Sequence, residues 1–305
     1  ARIDKRNPNP MKPIRKAVFP VAGLGTRILP ATKTIEKEML PIVDRPLIQY
    51  AVDEARAAGI DTFIFVTGRG KEAIENHFDV SYELEDTLTR RGKTAELEAL
   101  AAIRPGAGDA IFVRQQRPLG LGHAVWCARR IVGDEPFAVL LPDELIFGEP
   151  GATRQLVDAH GEVGGNLVSV LDIPREATGS YGIVAPGAET NGMVEVKGLV
   201  EKPKPAEAPS TMMLVGRYVL QPEIFAKLED QKPGAGNEIQ LTDAMARLIG
   251  AQPFHAVPIS GRRFDCGSKA GFLAANLALG LSRPDIAPAL KTLLHEAGLD
   301  LTVRT

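Results

Sequence analysis

The chain has 305 residues, 44% of them apolar, and a formal net charge of -2; it can bury an ordinary globular core and carries no net field to hold nucleic acid or an anionic membrane. Its longest apolar runs, such as Phe137 to Leu141 and Leu167 to Leu171, are strand-sized and far short of the roughly 20 residues that cross a bilayer as a helix. The two cysteines, Cys127 and Cys266, have no CxxC or paired-His spacing around them, which argues against a disulfide framework or a zinc site and for a reducing, cytoplasmic setting.

Residues 1–11 are polar and proline-bearing and read as a disordered extension, Met11 being a natural start. From Lys16 to Asp143 short apolar runs alternate with stretches of helical period, the pattern of a parallel sheet with helices on both faces. Residues 17–23 (AVFPVAG) read as the first strand, 45–59 as a helix ending at a glycine and 62–68 as the second strand. A helix is expected over 70–79, a strand over 110–115, a helix over 122–132 and a buried strand over 137–143. The charged stretch 83–103 has helical period and reads as an insertion over the sheet edge, a lid or a contact surface. Beyond Pro142 the runs NLVSVLDI (166–173), YGIVAPG, MVEVKGLVEKP and TMMLVGRYVL (211–220) lie close together between Gly and Pro residues, which suggests a mixed sheet. Helices are expected at 222–230, 239–250, 268–281 and near 286–297, with a strand at 254–260. The fold class is therefore α/β, a Rossmann-like mixed and mainly parallel sheet flanked by helices.

The segment VAGLGTRILPATKTIEKEMLPI (21–42) follows directly on the first strand. A glycine-rich turn there exposes backbone N–H groups at the carboxyl end of the sheet, where open α/β folds bind phosphates. Arg27, Lys33 and Lys37 add fixed positive charge within reach of the same anion. GLGTR is not a P-loop, because no GKS or GKT follows at the required spacing, and it lacks the third glycine of the dinucleotide fingerprint. Asp143 ends the apolar run AVLLP, so its carboxylate is expected at the mouth of the sheet, as a metal ligand or as a helix N-cap. In GLVEKPK (198–204) a regular strand would send Glu201 and Lys202 to opposite faces. His123 has no carboxylate partner in view and reads as a helix-start residue, and neither Ser180 nor Cys127 has the context of a nucleophile.

GLGTR, the run KEMLPIVDRPLIQY (37–50), GLGHAV and the closing FDCGSKAGF together resemble the bacterial UTP-glucose-1-phosphate uridylyltransferases of the sugar nucleotidyltransferase superfamily, over nearly all of residues 12–282. The resemblance implies the nucleotide-diphospho-sugar transferase fold as one domain, nucleotide-binding over about 12–143 and sugar-binding over about 144–282, with a helical tail over 283–305. It implies UTP and glucose 1-phosphate as substrates, Mg²⁺ as cofactor and a homo-oligomer. On the family's pattern Ala22, Gly23 and Gly25 contact the nucleotide through the backbone, while Arg27 and Lys37 hold the phosphates that leave. Gln115 would pair with the uracil edge, an amide being able to donate and accept together, and the backbone of Gly120 would touch the same base. Asp143 and the distant Asp265 would bind Mg²⁺, with Glu144 adjoining. Glu201 would take sugar hydroxyls, Lys202 the sugar phosphate, and Gly182 and Gly216 would let the sugar approach the backbone. GNEIQLTDA (236–244) matches the family too and reads as a capped helix start. Rival readings are the same chemistry with dTTP or another hexose 1-phosphate, a non-catalytic sugar-nucleotide sensor, and a nicotinamide oxidoreductase that the missing glycine disfavours.

Overall fold

The structure, a computed structural model, describes residues 11–230 and 232–299. The extension expected before Met11 and the last six residues of the tail lie outside the described residues. The strands in chain order are β1 (Lys16–Val21), β2 (Pro41–Ile42), β3 (Arg45–Pro46), β4 (Thr62–Thr67), β5 (Ala110–Arg114), β6 (Phe137–Leu140), β7 (Glu144–Phe147), β8 (Asn166–Asp172), β9 (Gly182–Thr190), β10 (Met193–Glu201), β11 (Met212–Leu220), β12 (Phe254–Pro258) and β13 (Arg262–Asp265). The helices are α1 (Leu47–Ala57), α2 (Glu72–Phe78), α3 (Tyr82–Arg90), α4 (Thr94–Ile103), α5 (Leu121–Cys127), α6 (Arg129–Val132), α7 (Ala152–Val163), α8 (Ile224–Glu229), α9 (Leu241–Ala246), α10 (Lys269–Ser282) and α11 (Ala287–Glu296). None of them is long and apolar enough to cross a membrane.

Nine strands form one sheet in the order β5-β4-β1-β6-β11-β8-β12-β10-β9. The parallel character expected of it holds across β5, β4, β1 and β6, and beyond β6 the pairings are antiparallel except for β8 with β12. Period-two alternation divides the core between the two faces. Phe19, Phe63 and Phe65 point to one face, where Ile48, Val52 and Leu156 of α1 and α7 cover them. Val18, Ile64 and Val66 point to the other, against Val125, Leu228 and Leu241 of α5, α8 and α9. Because both faces are covered, the central strands read as unbroken apolar runs. A third, smaller core joins Ile42, Leu47, Leu145, Phe264 and Ala275 around the two-stranded β7–β13 sheet.

Five elements escape the pattern reading, among them the two-residue strands β2 and β3, the second inside the stretch expected to be helical. The buried face of α7 consists of Ala152, Thr153, Leu156, Ala159 and His160, too small and polar to print an apolar stripe. β7 and β13 are four residues each and pair across more than a hundred positions of sequence, so neither has a local signal. The stretch 83–103 is a pair of helices, α3 and α4, with no buried residue in either.

At the boundary where the sheet changes from parallel to antiparallel, β11 carries Arg217, 1% exposed, directly opposite Leu140 of β6. Its guanidinium meets Glu54 of α1, with Nε 3.0 Å from Oε1 and Nη2 2.7 Å from Oε2. Glu54 also accepts from the backbone N–H and hydroxyl of Thr153 at 2.9 and 2.7 Å. Burial alone would raise the Glu54 carboxyl, but the Arg217 charge and these hydrogen bonds outweigh it and hold the group below its ordinary value. A carboxyl whose pKa is depressed by folding adds stability above its unfolded value of about 4.3 and loses it as pH falls through the folded value. Glu54→Gln, which has no such proton to take up, should be less stable than the parent at neutral pH, and the gap should close as pH falls below the ordinary carboxyl range and through the lower folded value. Thermal unfolding of both proteins across that range is the check, and a gap independent of pH would contradict a charged pair.

Candidate active site

The turn after β1 is shaped by glycine. Gly25 has φ +67°, and a Cβ there would sit 3.2 Å from both Lys37 and Thr32 side-chain carbons, while the Thr32 hydroxyl donates to the Gly25 carbonyl at 2.7 Å. A Cβ on Gly23 would meet only the Lys37 ammonium end, at 3.7 to 3.8 Å. The Ala22 backbone packs beside Gly68 at the end of β4. The turn therefore lays the backbone of residues 22–25 alongside the Lys37 side chain, which enters from the short 3-10 turn Lys37–Met39.

Across from it, Lys37 Nζ lies 2.6 Å from Asp143 Oδ2, and the Arg27 guanidinium reaches both Asp143, at 3.7 Å, and Asp265, at 3.3 Å. The two aspartates are far apart in sequence but locked together by backbone, since Asp265 pairs with Glu144 in the β7–β13 ladder and Cys266 N–H donates to the Asp143 carbonyl at 2.8 Å. Gly267 sits between them, where a Cβ would meet Arg27 and come within 2.9 Å of Asp143 Oδ2. Burial pushes the Asp143 carboxyl up, but Lys37 and Arg27 outweigh it and keep the group below its ordinary value. Burial likewise works against the Lys37 charge, and Asp143 with Glu38 overcomes it and raises that group. Both partners are thus ionised at neutral pH. Behind Lys37, buried Glu38 accepts from Lys71 at 2.7 Å, while its other oxygen has no hydrogen-bond partner and lies 3.9 Å from Lys37 Nζ.

Asp143 and Asp265 could hold a divalent cation. They are hard oxygen donors already sharing one cationic group, and among the described residues no cluster of three or more His, Cys, Asp or Glu offers an all-protein cage. That donor set fits Mg²⁺, which keeps its waters and takes one or two carboxylates beside substrate phosphates. Cys266, in the same turn, is buried and its thiol is pushed up to about 12 by burial and then by the neighbouring carboxylates, so it is no nucleophile.

Gln115 is buried where β5 ends, and its Nε2 lies 3.1 Å from the Gly120 carbonyl and 3.0 Å from His123 Nδ1. Gly120 has φ +105°, and a Cβ there would come within 2.7 Å of Glu238 and 2.8 Å of the Ile239 carbonyl. Ile239 N–H donates to the Leu119 carbonyl and its own carbonyl accepts from Gly122 N–H, at 2.7 and 2.8 Å. A few residues on, the Thr242 hydroxyl donates to Glu201 Oε2 at 2.8 Å. The GNEIQLTDA stretch thus ties the Gly120 loop to Glu201.

The regular strand that would separate Glu201 from Lys202 ends between them. Lys202 has φ +49°, a conformation non-glycine residues seldom adopt, and its N–H is held by the Tyr181 carbonyl at 3.0 Å. As a result Lys202 Nζ lies 3.5 Å from Glu201 Oε1, on the same side. Gly182 lies beneath them, with Glu201 Oε2 at 3.1 Å from where its Cβ would be. Gly216 has φ +48°, and the space of its Cβ is filled by Glu144 at 2.9 Å and Leu141 at 3.1 Å, so close packing of protein on protein already requires glycine there.

Apart from Lys33, which lies exposed in the short 3-10 turn Ala31–Lys33, the sequence-predicted residues therefore gather at one end of the sheet, in three neighbouring groups. Several members of the cluster carry no local signal: Tyr181, whose ring lies under the Arg263 guanidinium at 5.0 Å; Arg263, bidentate on Glu144; His123 on the Gln115 amide; and Thr242. His123 had only the look of a helix start, and nothing short of the fold brings it to Gln115. A separate cavity of about 550 Å³, lined in part by Met193, Glu195, Lys197 and His255, shares no residue with this cluster.

Residues 16–280 match the family model described as nucleotidyl transferase. A UTP–glucose-1-phosphate uridylyltransferase of Komagataeibacter xylinus is 54% identical over 85% of this chain and 91% of its own length. A protein of the same name from Bacillus subtilis (strain 168) is 47% identical over 94% of this chain and 99% of its own. Among solved structures, a UTP-bound UGPase from Acinetobacter baumannii superposes with a TM-score of 0.85 at 44% identity, over 93% of this chain and 99% of that one. With the glycine turn, the paired aspartates and the cationic residues all standing in the matched span, the chain belongs to the nucleotidyl transferase family, among the UTP–glucose-1-phosphate uridylyltransferases.

Proposed function

We propose that this protein transfers the uridylyl group of UTP to α-D-glucose 1-phosphate, forming UDP-glucose and releasing pyrophosphate. The observation that carries the reading is the convergence of Lys37 and Arg27 on Asp143 and Asp265 beside a glycine turn, in a chain whose relatives bear that name. The part of the chain up to Asp143 supplies the nucleotide side of the site and the part beyond it the sugar side.

No protein nucleophile is needed, because a phosphate oxygen of glucose 1-phosphate attacks the α-phosphorus of UTP in line and the bond to the β-phosphate oxygen breaks. The protein has to hold two anions together. In this reading the backbone of Ala22, Gly23 and Gly25 lines the nucleotide, and Arg27 and Lys37 turn from the carboxylates toward the departing pyrophosphate. Lys202 neutralises the attacking phosphate, and Glu201 takes sugar hydroxyls above Gly182 and Gly216. Gln115 reads the uracil edge with Gly120 against the base. Asp143 and Asp265 would hold Mg²⁺, which when bound supplies charge neutralisation at the reacting phosphates.

Steady-state formation of UDP-glucose, with UTP and dTTP compared against glucose 1-phosphate and other hexose 1-phosphates, tests the reading as a whole. Binding of UTP and UDP-glucose without product in the presence of Mg²⁺ would make the protein a sensor instead. Asp143→Asn should keep the fold while turnover collapses by about 10²-fold or more, by analogy with loss of one preorganised electrostatic group; near-normal turnover at limiting Mg²⁺ would remove Asp143 from the metal site. Gln115→Ala should raise the KM for UTP by the value of one neutral hydrogen bond, about 0.5 to 1.5 kcal/mol, and leave that for glucose 1-phosphate unchanged. Equal effects on both substrates would count against base reading. Lys202→Met should lower kcat strongly and arginine should rescue it poorly, its planar fork replacing a point charge. If Lys202→Met keeps more than about a tenth of the parent kcat, a barrier change under roughly 1.4 kcal/mol, its role at the attacking phosphate fails.

A further inference from the structure

Arg217 touches none of the side chains assigned to substrate or metal, yet its hydrogen bonds bracket Asp143. Nη1 donates to the Leu141 carbonyl at 3.0 Å and Nη2 to the Glu144 carbonyl at 2.8 Å. Those two carbonyls stand on either side of Pro142 and Asp143, and Leu141 N–H is itself bonded to the Gly216 carbonyl at 2.9 Å. The Gly216 carbonyl also accepts from Nη1 at 3.2 Å, and the remaining N–H bonds go to Glu54. The guanidinium thereby uses all of its donors, anchoring the Asp143 turn to α1.

Stability alone does not account for such a group. A buried ion pair is often no more stable than apolar side chains of like volume, since desolvation consumes the attraction. What a fixed planar fork does provide is direction: it can satisfy two divergent carbonyls and a carboxylate at once, which a lysine ammonium at the end of a flexible stem cannot. We infer that Arg217 is a positioning residue for Asp143, setting the carboxylate where metal and Lys37 meet it. The inference rests on the reading of Asp143 given above.

Two variants separate position from stability. Arg217→Lys keeps the charge beside Glu54 but cannot span both carbonyls, and the double variant Arg217→Met, Glu54→Met removes both buried charges together and so leaves neither unpaired. Both should still unfold cooperatively, at a temperature lowered by the carbonyls left unpaired. The Mg²⁺ concentration for half-maximal turnover should nonetheless rise roughly 10- to 100-fold in each, the usual effect of losing a group that orients a metal ligand. Calorimetric titration with UTP, with and without Mg²⁺ and without sugar phosphate, should show the same loss in the Mg²⁺-dependent part of the affinity. A folded double variant with an unchanged Mg²⁺ requirement overturns the inference, as does a crystal structure of Arg217→Lys with the Asp143 carboxylate in its original place. Should the parent protein make no UDP-glucose, the proposed function fails, while the calorimetry and the crystal structure still decide the role of Arg217.

Discussion

The reactive end of this molecule takes its position from one buried ion pair. Arg217 and Glu54 come from β11 and α1, and either charge left alone in the interior would destabilise the fold by about 3 to 5 kcal/mol. Once the carboxylate has taken part of the guanidinium, the remaining N–H bonds must find backbone carbonyls, and the ones in reach belong to residues 141, 144 and 216. That is also where β6 hands over from parallel to antiparallel neighbours. The pair therefore ties the parallel half of the sheet to the rest at the point where Asp143 leaves it.

Around that point two of the carboxylates each have two cations near them. Asp143 has Lys37 and Arg27, and Glu38 has Lys71 and Lys37. A chain of net charge -2 cannot attract a triphosphate by its overall field. In the proposed reading it does not need to, because a partly buried cation such as Lys37 acts on an adjacent phosphate with far less screening than an exposed one. Asp143 and Glu38 hold Lys37 charged against burial, and in the proposed reading an arriving phosphate competes for it at short range. Lys37 lies between Asp143 and the unpartnered oxygen of Glu38, a carboxyl that burial pushes above its ordinary value despite the two lysines.

Much of this was legible in the residues. The central strands announce themselves because both faces are buried, and the glycine turn because Gly25 takes a positive φ close against Lys37 and Thr32. The parts that were not legible depend on contacts distant in sequence. β7 and β13 exist only as a pair, and the kink that brings Lys202 beside Glu201 arises from a hydrogen bond to Tyr181. Arg217 was in plain view within MMLVGRYVL, where an arginine amid apolar residues of a central strand is itself a signal, since such a group is almost never fully buried unless paired. Its partner, Glu54, stands on another element and leaves no mark within the run itself.

The orientation of the Gln115 amide bears on selectivity. Its Nε2 is committed to the Gly120 carbonyl and faces His123 Nδ1, which leaves the oxygen as the atom to accept from a base, if Gln115 takes the base as proposed. Uracil and thymine both present an N3–H there, so the amide cannot tell them apart, and discrimination falls to the space beside C5, where one methyl group is worth about 1 to 3 kcal/mol. Cytosine presents a lone pair at N3 instead. Two acceptors would then face each other in a buried place, and a site built to receive a donor rejects a ligand lacking it far more strongly than it rejects an added methyl. With Gln115 in its proposed role, the amide separates pyrimidines by their hydrogen-bonding edge and leaves the choice between UTP and dTTP to packing alone.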